Sequence, residues 1–324
     1  MSEVVDFEVP WHLIYHYYIS GTIAICLNLL VIYLILFHSG KLDNFRFYLL
    51  AFQIWCTASD VNIAFLFQPI FLFQILAGYG HGWFYDWFDF TSFTCFAIFT
   101  LLLSGQIEVL TICFFRKHHA IMKLRPTTDK VPYPIIYVLC MCYSIVITLS
   151  CYSIRISKEE QWQLIQLNYP SMVPQFQRLR EFSIVRMTYE LITLLVLNAV
   201  GTFKTTLVIS VLVFRMYNVL FLMQSQLSRT TLAKHKIALK CLVLQFMTTP
   251  ISFLPAFVLL LNVAFPTPYS QEISNFSLMV ATTHSTANCL VVMTTYPEFR
   301  KTVMFWKKSR GSRVSISSLR PSNL

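Results

Sequence analysis

Residues 14–37 read IYHYYISGTIAICLNLLVIYLILF, an apolar stretch with no Asp, Glu, Lys or Arg. At a rise of about 1.5 Å per residue, a helix of this length crosses the roughly 30 Å hydrocarbon core of a bilayer. Six further segments meet the same criterion. The predicted spanning helices are 14–37, 47–75, 91–115, 133–154, 190–214, 238–265 and 273–296. The predicted fold is therefore an all-α integral membrane protein with a bundle of seven transmembrane helices.

The composition of the 324-residue chain supports a membrane protein. Hydrophobic residues make up 56% of the chain and charged residues 12%, about half the charged fraction of an average soluble domain. A soluble globular domain is therefore excluded. The net charge of +10 would suggest nucleic acid as the partner of a soluble protein. In a membrane protein it is expected from basic loops that bind anionic membrane lipids, so no nucleic acid is expected.

The distribution of Lys and Arg predicts the orientation, because cytoplasmic loops are enriched in both. With the N-terminus outside, nineteen of them lie in the inner connections and the C-terminal tail, against five in the outer connections. We therefore expect residues 1–13 to be an extracellular tail and residues 14–296 to be the transmembrane domain. The first thirteen residues carry three acidic side chains but no Lys or Arg, so no cleaved signal peptide is expected.

Two further helices are predicted outside the spanning segments. Residues 297–308, PEFRKTVMFWKK, combine an imperfect apolar face with basic side chains, as an amphipathic helix on the inner leaflet does. The Ser-rich segment 309–324 is expected to be a disordered cytoplasmic tail. Between residues 155 and 189, Ser157 and Glu160 match a capping box that predicts a helix ending near Asn168. This connection is either a partly helical lid over the bundle or a solvated loop.

The cysteines and the sequence motifs indicate no catalytic or metal-binding site. Nine Cys lie in the predicted helices, mostly as small apolar packing residues, and the one outer-face disulfide considered joins Cys95 to Cys151. The sequence has no metal-ligand spacing, no GxSxG or HExxH motif and no Gly-rich phosphate loop. We expect neither an enzyme nor a metal or other cofactor. Asn275-Phe276-Ser277 is a possible glycosylation site near the outer edge.

Ionisable residues inside a membrane are costly and normally face the bundle interior. Glu108 and Lys204 lie about 12 and 16 Å from the same inner face by helix rise, which predicts an ion pair; alternatively, Lys204 extends to the interface. Asn28 and Asp60 lie near the middle of helices one and two. This polar couple is either a site for a cation or water cluster or a structural hydrogen bond.

Helix six contains two prolines, Pro250 and Pro255. Each removes a backbone hydrogen bond and permits a kink. The two prolines therefore predict either a hinge about which the inner, basic end of the helix moves or a static bend.

Four stretches of the chain carry a family resemblance, namely KLDNFRFYLLAFQIWC (41–56), QPIFLFQILAGYGHG (68–82), FFRKHHAI (114–121) and TTYPEFRK (294–301). They resemble the nematode serpentine chemoreceptors of class I or the related class H, within the G-protein-coupled receptor superfamily. The resemblance covers essentially the whole transmembrane region. The chain departs from rhodopsin-like receptors in having FFR at 114–116 in place of Asp-Arg-Tyr and TTYP at 294–297 in place of Asn-Pro-x-x-Tyr.

The resemblance implies an olfactory-type receptor in the plasma membrane of sensory cilia. It would bind a small odorant or soluble cue and activate a heterotrimeric G protein through movement of helix six. Pocket candidates at suitable depth are Phe99, Leu194, Asn198, Phe257 and Ser277, and candidates for G-protein coupling are Arg116, Lys117, Arg215 and Lys236. The alternatives are a receptor for a secreted peptide and a membrane carrier or channel. The ligand, the G-protein subtype and dimerisation are left open.

Overall fold

The computed structural model describes residues 5–38, 44–73, 75–124, 132–265 and 267–303. Its elements, in chain order, are α1 (Trp11–His38), α2 (Phe45–Val61), a π-helical turn (Asn62–Phe67), β1 (Pro69–Leu72), β2 (Ala77–Gly80), α3 (Trp83–Trp87), α4 (Ser92–Met122), α5 (Tyr133–Ser153), α6 (Lys158–Asn168), a 3-10 turn (Pro170–Met172), α7 (Val173–Phe176), β3 (Ser183–Ile184), α8 (Tyr189–Leu222), α9 (Arg229–Ala264), α10 (Ser270–Ala281) and α11 (His284–Thr295). Within these residues, seven helical segments are long and apolar enough to cross a membrane. The predicted seven-helix bundle is confirmed.

Three helices continue beyond the predicted spanning segments. α4 and α8 run past residues 115 and 214, and α9 begins at Arg229 rather than near residue 238. The predicted limits lay near the first basic residues, but Lys and Arg are good helix formers and do not end a helix. α9 begins where the Ser228 hydroxyl accepts a hydrogen bond from the Thr231 backbone N–H at 3.2 Å, as N-cap residues do.

The second spanning segment was predicted too long, because residues 69–72 form a strand. The helical segment ends at Phe67 and Gln68 has a φ of 47°, in the left-handed region. Pro69 has no N–H to continue a helix, and its carbonyl accepts a hydrogen bond from the Tyr17 hydroxyl at 2.9 Å. The proline therefore ends the helix instead of kinking it.

The seventh spanning segment consists of two helices, where one was predicted at 273–296. α10 ends at Ala281 and α11 begins at His284. At the break, the Thr282 hydroxyl donates to the Met279 carbonyl at 2.8 Å and the Thr283 hydroxyl to the Val280 carbonyl at 2.7 Å. Hydroxyls that bond nearby carbonyls compete with the helix backbone, so this polar run interrupts the segment.

An antiparallel sheet with strand order β1-β2-β3 covers one end of the bundle, which we call the lid end. No sheet was predicted. The predicted capping box is present: the Ser157 hydroxyl accepts from the Glu160 N–H at 3.2 Å and the Glu160 carboxylate accepts from the Ser157 N–H at 2.9 Å. The helix it starts, α6, ends at Asn168 as predicted. Its Ile165 is buried in one cluster with Ile70 and Ile184 of the sheet, so this connection packs as a lid.

The predicted amphipathic helix begins as expected but is anchored in the bundle. Residues 297–303 are helical, and the Phe299 ring is fully buried with its centroid 5.2 Å from that of Tyr296. This part of the helix therefore packs an aromatic side chain against the bundle core. Residues 304–308 and the expected tail 309–324 lie outside the described residues, as do residues 1–4 of the expected N-terminal segment.

A close helix contact at Gly21 gives a prediction about stability. A Cβ atom on Gly21 would collide with the Cβ of Ala64 in the π-helical turn, and neither atom can rotate away. Gly21→Ala should therefore cost about 1–3 kcal/mol through overpacking and lower the melting temperature in detergent by several degrees. The control is Thr22→Val on the exposed face of the same turn, which should melt like the wild type. Equal melting temperatures for both variants would contradict this packing.

Candidate functional site

A cavity of about 260 Å³ lies under the sheet, between α4, α8 and α9. Four of the five predicted ligand-binding residues line it, namely Phe99, Leu194, Asn198 and Phe257. Further aromatic walls come from Phe67, Phe71, Phe73, Phe93, Phe96 and Phe253. Sequence reasoning missed the sheet residues, because β1 lies in a segment predicted as helix and β2 and β3 lie in segments predicted as connections.

No lining residue among those described is an acid, a base or a histidine. The one tyrosine among the described lining residues is Tyr79 in β2, and burial raises the pKa of its phenol to about 12. This group is therefore neutral at physiological pH. An apolar wall with a few polar groups is the usual character of a small-molecule site.

Four polar side chains on the helical walls of the cavity already donate hydrogen bonds to backbone carbonyls. The hydroxyls of Thr100, Ser104 and Ser252 donate to backbone carbonyls of their own helices at 2.8 Å. The Asn198 amide donates to the Leu194 carbonyl, also at 2.8 Å. Because each hydroxyl has one proton, these side chains offer the cavity mainly acceptor oxygens.

Ser277 and Asn275 do not lie where the sequence predicted. Ser277 is buried in α10, where its hydroxyl donates to the Ser274 carbonyl at 2.7 Å, and it is not among the cavity-lining residues. The Asn275 side chain is also buried, with 6% exposed, so the folded chain does not present this sequon for glycosylation. Depth along a helix does not determine which face of the helix a residue occupies.

The predicted disulfide is not formed. Cys95 and Cys151 are both free thiols and pack in different clusters. Cys95 lies with Phe67 and Tyr85, whereas the Cys151 sulfur accepts a hydrogen bond from the Thr100 hydroxyl at 3.7 Å. Nearness to the same end of the bundle did not bring the two sulfurs together. Within the described residues, no group of three or more His, Cys, Asp or Glu side chains could hold a metal ion.

The structure brings Glu108 and Lys204 together one helical turn beyond the cavity. The Lys204 Nζ lies 3.5 Å from the Glu108 Oε1 and 4.0 Å from the centroid of the Tyr143 ring. The Glu108 side chain is 3% exposed and the Lys204 side chain 45%. Glu108 follows the lining residue Ser104 by four positions, on the same face of α4. The ion pair therefore joins α4 to α8 directly below the cavity wall.

A second polar cluster contains the predicted couple Asn28 and Asp60. The Asn28 amide donates to the Asp60 carboxylate at 2.6 Å and to the Ser285 hydroxyl at 3.0 Å. The Asn28 carbonyl oxygen accepts from the Gln53 amide and, at 3.2 Å, from the Cys289 thiol. The cluster thus joins α1, α2 and α11. Gln53 was missed, although it lies seven residues before Asp60 and so on the same helix face.

The four predicted G-protein residues lie at the end of the bundle opposite the lid, which we call the basic end. All four are on helices and not in loops. Arg215 and Lys236 are exposed and Arg116 is half-buried, with its guanidinium 5.4 Å from the Tyr48 ring centroid. Lys117 is only 7% exposed and lies 5.3 Å from the Phe45 ring centroid. Because the Lys117 side chain is buried, it does not contact a G protein directly in this conformation.

Comparisons with known proteins agree on the fold. The chain is similar to squid rhodopsin, with a TM-score of 0.57 and 13% sequence identity over 96% of this chain and 90% of that chain. No curated protein sequence matches the chain. A family model described as serpentine type 7TM GPCR chemoreceptor Sri matches residues 3–303. Since that match covers nearly the whole length, the chain belongs to the Sri family of serpentine seven-transmembrane G-protein-coupled chemoreceptors.

Proposed function

We propose that this chain is a chemosensory receptor that binds a small molecule in the cavity and in response activates a heterotrimeric G protein. The observation that carries the proposal is the largely apolar cavity, rich in phenylalanine, between α4, α8 and α9 in a member of a chemoreceptor family. Its volume of about 260 Å³ suits a small molecule better than a folded peptide. The proposed location is the plasma membrane of sensory cilia.

The orientation is part of the proposal, with the lid end outside and the basic end in the cytoplasm. Its support is the excess of Lys and Arg in the connections and tail of the basic end, since these residues favour the cytoplasmic side. A tag at the C-terminus should therefore be accessible to antibodies only in permeabilised cells. Staining of that tag on intact cells would reverse the orientation.

α9 is the helix through which we propose that the ligand acts. Pro255 lines the cavity and Pro250 lies between it and the basic end. Each proline leaves a carbonyl without its helical partner, which lowers the cost of bending at these points. A ligand that binds one bent conformation of α9 more tightly than another shifts the population toward that conformation. The size of the shift is limited by the difference between the two affinities. The exposed Lys236 near the other end of α9 would move with the helix.

A cavity-filling variant tests the proposed ligand site. Ser104→Phe adds a ring to a cavity wall, and in a cell assay of G-protein activation against a ligand panel it should reduce the response at least about tenfold. The matched control is Ser210→Phe on the exposed, non-lining face of α8, which should signal normally. A full response from Ser104→Phe would place the ligand elsewhere, and ligand-evoked current without G-protein activation would favour the channel alternative.

A further inference from the structure

We propose that the ligand is a neutral, lipophilic molecule that reaches the cavity from within the bilayer, through a lateral opening between α8 and α9. This inference rests on the proposed function for the identity of the ligand site. It adds the chemical class of the ligand and its route.

The sheet closes the cavity at the lid end. Phe71 pairs with Gly78, and Gly78 with Ser183, so these three residues share the face that lines the cavity. Residues alternate between the two faces of a strand, and the opposite face carries Ile70 and Ile184, both buried under α6. A ligand arriving from the lid side would have to displace a sheet that is buried on its upper face.

An exposed ion-pair clamp joins two parts of this lid. The Arg180 guanidinium, on the segment leading to β3, lies 2.5 Å from the Asp86 carboxylate of α3 and 3.1 Å from that of Asp89. The clamp ties the third strand to the connection between β2 and α4. It is exposed, so its energy is small, but its removal gives a direct test of any route through the lid.

The exposed residues of the cavity wall lie on α8 and α9. On α8 they are Asn198 and Ala199, and on α9 they are Ala256, Phe257 and Leu260. The lining residues of α4 are all buried or half-buried. α8 and α9 touch at few places, and small alanine side chains stand at the gap. Because both helices are spanning segments, this opening faces hydrocarbon.

The chemistry of the wall selects the ligand class. No described lining residue carries a charge, so an ionised ligand would be buried without a counter-ion, at a high desolvation cost. The hydroxyls of Thr100, Ser104 and Ser252 in the helical walls donate their protons to backbone carbonyls. A neutral apolar molecule with one hydrogen-bond donor, such as an alcohol, therefore fits best. The bilayer also concentrates such a molecule at the opening.

A pair of photoreactive probes of equal size tests the ligand class. The neutral probe is 4-(trifluoromethyldiazirinyl)benzyl alcohol and the anionic one is the corresponding benzoate, each added to the protein in vesicles without a G protein. After flash photolysis and mass spectrometry, peptides lining the cavity should carry at least about ten times more of the alcohol than of the benzoate. Equal labelling, or more labelling by the benzoate, would overturn the assignment of a neutral ligand.

The route is tested by how fast labelling of the cavity by the alcohol probe rises to its final level. This rate reports entry of the probe, and it does not depend on how high the final level is. Ala256→Trp should slow it several-fold by narrowing the opening, and Phe257→Ala should accelerate it. Val200→Trp, on the exposed and non-lining face of α8, is the control and should leave the rate unchanged. Arg180→Ala, which removes the clamp, should also leave it unchanged.

Two results would overturn the lateral route: rates unchanged by both opening variants, or a rate raised by Arg180→Ala. These measurements are separate from the test of the proposed function. A receptor that activates a G protein but fails the labelling tests would keep its function and lose this route. One that passes them without activating any G protein would keep the route and lose the function.

Discussion

Lys204→Met should destabilise the protein more than Gly21→Ala does, because it leaves the buried Glu108 carboxylate without its cation. Removing one partner of a buried ion pair typically costs about 3–5 kcal/mol, and the exposed part of Lys204 would face hydrocarbon, so water does not screen the loss. The variant should show a large fall in surface expression and in melting temperature.

The second partner shows whether the interaction is an ion pair. Glu108→Gln alone should be milder, because a lysine can extend toward the interface and Lys204 keeps its contact with the Tyr143 ring. The double variant Glu108→Gln with Lys204→Met should recover much of the stability lost in Lys204→Met, and the exchanged pair Glu108→Lys with Lys204→Glu should recover part of it. Losses that simply add in the double variants would contradict coupling between the two residues.

Arg116→Ala should abolish G-protein activation while surface expression and labelling of the cavity by the benzyl alcohol probe persist. Arg116 lies at the basic end of α4, half-buried over the Tyr48 ring, where a change in helix packing can release the guanidinium. The measurement is nucleotide exchange on the G protein with receptor in vesicles. We expect a loss of at least about a hundredfold, comparable to removing a buried, hydrogen-bonded charge from an interface.

The matched control for Arg116→Ala is Arg46→Ala. Arg46 is also a half-buried arginine at the basic end and stacks on an aromatic ring, that of Phe47, at 4.9 Å. It should retain most of the activation. Equal losses in both variants would mean a general effect of charge, and loss of probe labelling in Arg116→Ala would mean that the residue is needed for folding.

The bundle and part of the polar interior could be predicted from the sequence because these features follow from distances along a helix. The spanning segments follow from length and hydropathy. Glu108 and Lys204 were paired by equal depth, and Asn28 and Asp60 by their mid-helix positions. The capping box at Ser157 is a local signal, since both of its hydrogen bonds lie within four residues.

Other expectations were wrong because they depended on rotation and packing. Ser277 was placed by depth, but it lies on the wrong face of α10 for the cavity. Lys117 was a candidate for G-protein coupling, whereas its side chain is buried and packs over the Phe45 ring. Cys95 and Cys151 are near the same end of the bundle, yet they belong to different clusters.

The sequence by itself determined that this protein has seven apolar helices and the basic segments that connect them, because hydropathy and the 1.5 Å helical rise act within each segment. Tertiary structure decided the rest. A proline such as Pro69 can kink a helix or end one, and here a strand follows it because the sheet pairs β1 with β2. The cavity exists only where α4, α8, α9 and that sheet meet. Contacts between segments distant in sequence set these features, and no local pattern encodes the rotation of one helix against another.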